Sequence, residues 1–213
     1  MVFGKIEYLN LLPFHVFMKR FVKSSSAKMS MEYKKNVPAK INTLFASRKV
    51  DAAFISSIKA KKCTHLKLGI IAKKHVLSVL VIPSQKQQKD KASASSNMLA
   101  NILNVQGKVL IGDRALKYAL ENNDYIDLAQ LWYEKYNLPF VFALLCYHKE
   151  KTLYTKIEKK FLQKKVKIPY YILQNASKKT DISSEEILHY LKLISYDLDT
   201  KAKLGLRKFY NLL

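Results

Sequence analysis

Short apolar runs alternate with helix-patterned segments along most of the chain, and that alternation constrains the fold more than any other feature. "DAAFISS" (51–57), "LKLGIIA" (66–72) and "VLSVLVI" (76–82) have the length and branching of buried strands. Residues 2–8 alternate as a strand, and so do Met29, Met31 and Tyr33 in "KMSMEYK". Between them, "PFHVFMKRFVK" sets Phe14, Phe17, Met18 and Phe21 at helical spacing. "NVPAKINTLFASRKV" has Pro38 near its start and Ile41, Leu44 and Phe45 on one face. This rhythm predicts an α/β fold with mostly parallel strands.

The texture changes at 83–97, "PSQKQQKDKASASSN", a polar stretch expected to be a loop ending in a helix cap before "NMLANIL". "KVLIGD" reads as a strand, "RALKYALE" as a helix, and "DLAQLWYEKYN" as a helix capped by Asp127. "LPFVFALLCY" reads as a long buried strand. Beyond Lys149 the pattern is helical to the end, with Ser183 and Glu186 at capping-box spacing.

Composition narrows the chemistry. No run reaches the roughly 18 apolar residues of a membrane span. The first residues lack the pattern of an export signal, because Glu7 and Asn10 interrupt them. Cys63 and Cys146 form no metal-binding pair and suggest two buried or idle thiols in a reduced, cytoplasmic protein. The net charge is +22, yet only four of the 38 basic residues are arginines and the lysines are scattered. A solvated lysine surface fits that distribution, as do steering of an anionic small molecule and nonspecific nucleic-acid binding. The five glycines are widely separated and make no phosphate-cradling loop, and the five histidines lack metal-ligand spacing. Neither metal nor nucleotide is expected.

Small polar residues gather where strands are expected to end: Asn10, Ser56, Ser57, Ser78, the stretch Ser93-Ala94-Ser95-Ser96, and Asp113. Each could simply cap a helix or bond within a strand. Together, hydroxyls and free N–H groups at several helix starts would suit a small polyanion.

The blocks "GKIEYLN", "VPAKINTLFASRKVDAAFISSIK", "VLSVLV", "SASSNMLANIL", "VLIGDRAL" and "DLAQLWYEKYNLPFVFALL" occur in an order that resembles the chorismate dehydratase family of the futalosine route to menaquinone. They cover most of residues 4–145. A sister enzyme of that route, which forms dihydroxynaphthoate, begins with a cysteine- and proline-containing block where this chain has "EYLNLLPF". The resemblance implies a two-lobed fold like type II periplasmic binding proteins, with the ligand between lobes. Residues 1–75 plus 139–213 would form one lobe and 76–138 the other, with crossings near His75–Ser78 and Asn137–Pro139.

The resemblance further implies loss of water from chorismate, giving 3-[(1-carboxyvinyl)oxy]benzoate. The proton leaves the ring carbon bearing the ether, the neighbouring hydroxyl departs, and the ring becomes aromatic without a cofactor. Asn10 and Ser78 would be catalytic, while Leu11, Ser56, Ser57, Ser95, Ser96, Asp113 and Phe142 would contact substrate. No matched residue is an obvious base, so the substrate's enolpyruvyl carboxylate is expected to take the proton. Three rivals stay open: a small-anion binding protein of the same fold, the sister enzyme, and a lysine-rich nucleic-acid binder.

Overall fold

A computed structural model describes residues 1–24, 32–163 and 165–213. Strand β1 (Val2–Lys5) leads through a 3-10 turn at Leu9–Leu11 into α1 (Leu12–Ser24), followed by β2 (Glu32–Lys35), α2 (Pro38–Ala46) and β3 (Ala52–Ser56). A single helical turn, α3 (Ser57–Ala60), joins β3 to β4 (His65–Ala72). Next come β5 (Val79–Pro83), α4 (Ala94–Ile102), β6 (Gly107–Ile111), α5 (Asp113–Glu121), β7 (Ile126–Asp127) and α6 (Leu128–Tyr136). Strand β8 (Phe140–Tyr147) precedes α7 (Lys151–Gln163), α8 (Tyr170–Thr180), α9 (Ser184–Leu193), β9 (Ile194–Asp197) and α10 (Thr200–Asn211). The alternation expected for Met29 and Met31 lies outside the described residues.

Two sheets result. Six strands run in the order β2-β1-β3-β8-β4-β9, and three run in the order β6-β5-β7. The expectation of mostly parallel strands fails, because β1 is parallel to β2 and β3 while the other pairings between these strands, β3–β8, β4–β8, β4–β9, β5–β6 and β5–β7, are antiparallel. Adjacent parallel strands need a crossover of about a dozen residues or more. Residues 57–64 between β3 and β4 are too few, and β8 enters between those two strands instead. The C-terminal stretch is not wholly helical either. Ile194–Asp197 forms β9 and covers the edge of β4, with Ile194 opposite Ala72. Strand β1 ends at Lys5, where its ladder with β2 stops, so the alternation through residue 8 continues beyond the strand.

Packing explains why β8 reads as one apolar run. Most of its residues are buried, because helices and neighbouring strands cover both of its faces. Phe140 meets Trp132 at 5.2 Å and Phe209 of α10 at 5.1 Å between ring centroids. Gly205 lets α10 sit directly on the chain entering β8, since a Cβ there would lie 2.0 Å from the Pro139 carbonyl oxygen. On the other side of the large sheet, Phe14 packs edge-on against Phe54 at 5.0 Å and Phe161 at 5.3 Å. That cluster fixes α1, and with it the turn that precedes α1.

The chain leaves the large sheet after Ala72 and returns to it at Phe140. Each connection contains a residue in the left-handed region, Leu77 at φ 58° and Asn137 at φ 52°. Asp127, buried at the start of α6, accepts from the N–H groups of Val76 and Leu77 at 2.8 and 2.7 Å through one carboxylate oxygen. Its other oxygen caps α6 through Ala129 and Gln130 at 2.9 and 3.1 Å.

The thiols are not equivalent. Cys146 is fully buried in β8 and its pKa is raised, chiefly through its hydrogen bond with Cys63 and also by burial. Cys63 is half-buried, and that same hydrogen bond holds its thiol down to about 7 against the opposing effect of burial. A limiting amount of iodoacetamide near neutral pH should alkylate Cys63 and spare Cys146 in the folded protein. Peptide mass spectrometry reads the result, and preferential labelling of Cys146 would contradict the assignment.

Candidate active site

A cavity of about 620 Å³, partly open to solvent, lies between the two sheets. The large sheet contributes Ser56 at the end of β3, Phe142 from β8, and Tyr8, Asn10 and Leu11 from the connection between β1 and α1. The small sheet's side contributes Ser78 just before β5, Ser93 and Ser96 at the start of α4, and Gly112 at the start of α5. Two helix N-termini, those of α4 and α5, therefore open beside the cavity.

Of the residues expected from sequence, the structure brings Asn10, Leu11, Ser56, Ser78, Ser96 and Phe142 to the cavity. It does not bring Ser57, Ser95 or Asp113 there. Ser57 and Ser95 are both buried, their hydroxyls 3.1 Å apart, and Ser95 Oγ also accepts from Ile58 N–H at 3.1 Å. They clasp α3 to α4. Asp113 accepts from Leu9 N–H at 2.9 Å, which holds the turn carrying Asn10 against the start of α5. The expected start of α4 also moves. Ser93 rather than Ser96 is its cap, with Ser93 Oγ accepting from Ser96 N–H at 3.1 Å and donating to Ser96 Oγ at 2.8 Å. A spacing of three residues then puts Ser93 and Ser96 on the cavity and turns Ser95 away.

Polar side chains behind the wall set these groups. Asn42 of α2 donates to Ser56 Oγ at 2.8 Å and accepts from Ser56 N–H at 3.2 Å. Tyr190 of α9 donates to Ser78 Oγ at 2.9 Å, and Tyr196 of β9 donates to the Asn10 carbonyl at 2.7 Å. Gly112 has φ +69°, and a Cβ there would press the Tyr8 ring at 2.8 Å, so only glycine lets that ring lie flat against the start of α5.

Among the described residues, no charged side chain lines the cavity. Tyr8, its one titratable lining group, has its pKa raised by burial and then by the carboxylates of Asp90 and Asp113. His15 is turned to other work, with Nε2 bonded to the Ile6 carbonyl at 2.8 Å and burial lowering its pKa to about 4. Among the described residues, no cluster of His, Cys, Asp or Glu could hold a metal ion.

Burial raises the Asp113 carboxyl from 3.8 to about 6, against the opposing effect of the Leu9 N–H. The folded chain thus holds this proton more tightly than the unfolded chain. The stability this group contributes falls as pH rises between those two values. Asp113→Asn should flatten that part of the stability–pH curve, and melting temperatures across the interval would check it. An unchanged slope would mean that Asp113 does not titrate there.

Sequence reasoning gives no site role to Tyr190, Asn42 or Tyr8, and within the stretch Ser93-Ala94-Ser95-Ser96 it assigns substrate contact to Ser95 and Ser96 rather than Ser93. Ser93 belonged to a serine cluster already marked as polar. Tyr190 carried only a core signal, three residues beyond Ile187 on one helix face, with nothing local to reveal the target of its hydroxyl.

A family model described as menaquinone biosynthesis matches residues 1–106 and 92–213. A chorismate dehydratase of Campylobacter jejuni subsp. jejuni is 48% identical over 213 residues, covering 98% of this chain and 96% of the relative. Among solved structures, a protein of Archaeoglobus fulgidus superposes with a TM-score of 0.69 at 10% identity, covering 99% of this chain and 95% of that one. The Escherichia coli periplasmic aliphatic sulphonate binding protein SsuA gives 0.60 at 13% identity, covering 99% and 91%. A Candida albicans protein with the generic periplasmic binding protein fold gives 0.55 at 14%, covering 99% and 90%. These likenesses establish a two-lobed α/β fold of the periplasmic-binding-protein kind. The matched blocks span the chain from end to end, and the chain belongs to the menaquinone biosynthesis family.

Proposed function

We propose that this protein is a chorismate dehydratase, a carbon–oxygen lyase that converts chorismate to 3-[(1-carboxyvinyl)oxy]benzoate and water. The observation that carries the reading is the cavity wall: hydroxyls, an amide and two helix starts, without one charged side chain among the described residues. Such a wall suits a small dianion held by hydrogen bonds at the helix ends. It offers no carboxylate, imidazole or amine to remove the ring proton, which favours the enolpyruvyl carboxylate of the substrate as the base. Asn10 and Ser78 then orient the reacting atoms, and Leu11, Ser56, Ser96 and Phe142 contact the substrate. Aromatisation supplies the driving force, while closure of the two lobes over the substrate would supply orientation and exclusion of water.

Residues 1–75 with 139–213, and residues 76–138, act in this proposal as two lobes that close on the substrate through the crossings at Leu77 and Asn137. The reaction takes place in the cytoplasm and involves no nucleic acid; the lysines form a solvated surface. Among the described residues no helix is long and apolar enough to cross a membrane.

A second reading is ligand capture without chemistry, favoured by the fold shared with a sulphonate-binding protein. Purified protein mixed with chorismate separates the two. Enzyme-dependent appearance of a species lighter by one water supports the dehydratase. Bound chorismate recovered unchanged supports capture.

A further inference from the structure

We propose that Asn42 is a positioning residue, which makes the Ser56 hydroxyl a hydrogen-bond donor to a carboxylate of the substrate. The identity of that substrate rests on the cavity being the site of chorismate dehydration; the pairing of Asn42 with Ser56 does not.

Ser56 lines the cavity at the end of β3, whereas Asn42 of α2 is not among the lining residues. Both polar atoms of the Asn42 side chain meet Ser56. A backbone N–H can only donate, so the atom 3.2 Å from Ser56 N is the amide oxygen, Oδ1. That contact fixes the amide orientation, and Nδ2 is then the atom 2.8 Å from Ser56 Oγ. An amide nitrogen also only donates, so Ser56 Oγ accepts. A serine hydroxyl still carries one proton of its own. Among the described residues no protein acceptor takes that proton, which leaves it to the cavity that Ser56 lines. One amide behind the wall thus makes Ser56 a donor.

The fold releases this hydroxyl from its ordinary work. Ser56 stands at the N-cap position of α3, where a serine oxygen usually accepts from an N–H two or three residues on. Its side chain makes no such bond. Ser95 of α4 accepts from Ile58 N–H at 3.1 Å instead. A serine from the small sheet's side therefore serves the start of α3, and the Ser56 hydroxyl is left to Asn42 and the cavity. Asn42 is held in turn by α2, which buries Ile41 and Phe45. Pro38, four residues earlier and so on the same helix face as Asn42, lines the cavity.

Asn42→Asp keeps the size of the side chain and an acceptor for Ser56 N–H, but its carboxylate, ionised at about pH 8, cannot donate. The Ser56 hydroxyl then gives its proton to that carboxylate and presents only lone pairs to the substrate. With chorismate, KM should rise about 10- to 100-fold while kcat shifts less than about threefold, as when a hydrogen bond to a charged group is lost from ground state and transition state alike. Asn42→Ala leaves the hydroxyl free to turn and donate. Its KM should rise less than in Asn42→Asp, even though its melting temperature should fall further. A packing role gives the alanine variant the larger loss in both, and that order would overturn the proposal. Ser56→Ala separates the hydroxyl from the field of the new carboxylate. In that background the Asn42→Asp penalty should shrink, and an equal penalty in both backgrounds would equally overturn the proposal. If the parent protein binds chorismate without converting it, the same order read in calorimetric Kd keeps the role of Asn42 while the dehydratase reading falls. Chorismate neither converted nor bound would overturn both.

Discussion

Replacing Asn10 by aspartate is expected to lower kcat/KM for chorismate by about 10²- to 10³-fold, the range seen when one preorganised donor aimed at a reacting group is lost. The substitution is nearly isosteric, so packing changes little. It exchanges an amide at the cavity for a carboxylate that donates nothing when ionised. The new charge would face a dianionic substrate in a cavity whose lining residues include no cation. Repulsion and the lost donor act in the same direction. Asn10→Ala removes the donor without adding the charge and should lose less. Steady-state kinetics beside melting curves separate catalysis from folding. A fully folded Asn10→Asp protein with undiminished turnover would remove Asn10 from the mechanism.

Asp127→Ala should be the most damaging single change to stability among the polar residues discussed here. The carboxylate is buried and accepts four backbone N–H groups, two at the first crossing between sheets and two at the start of α6. Losing a helix cap costs about 1 kcal/mol, and leaving buried N–H groups without acceptors adds roughly 1–3 kcal/mol. A total near 3 kcal/mol corresponds to a fall of roughly 10 °C in melting temperature for a chain of this size. Asp127→Asn keeps one acceptor oxygen and should fall by less. A melting temperature within about 2 °C of the parent protein's in Asp127→Ala would mean that the crossing does not depend on this contact.

Much of the site was legible because its residues sit where strands give way to helices, and local pattern marks such places. Asn10 follows the β1 pattern and precedes Pro13; Ser56 closes an apolar run; Ser96 lies in a serine cluster ahead of a helix. Pattern alone could not separate Ser96 from Ser95, since only the true start of α4 decides which hydroxyl faces the cavity. Nor could it show that Asp113 would spend its carboxylate on Leu9, a contact that spans 104 residues. The partners of the site were hidden for the same reason. Tyr190 reaches Ser78 across 112 residues, and Tyr196 reaches Asn10 across 186. At the level of fold, strand–helix alternation revealed an α/β protein but not strand direction. Direction depends on where β8 inserts, a property of the returning chain rather than of any single segment. Strand β9 was missed because four residues between two amphipathic helices carry too short a period to read.

The central claim is that the cavity between the sheets holds chorismate and releases its aromatic product. Its most direct test is a crystal structure of the protein grown with 3-[(1-carboxyvinyl)oxy]benzoate. The account predicts the product in that cavity, with carboxylate oxygens within hydrogen-bond distance of Ser78 and Ser96, the Asn10 amide facing the enolpyruvyl ether, and Tyr190 still bonded to Ser78. Product bound elsewhere, or turned so that neither carboxylate meets a serine hydroxyl, would contradict it.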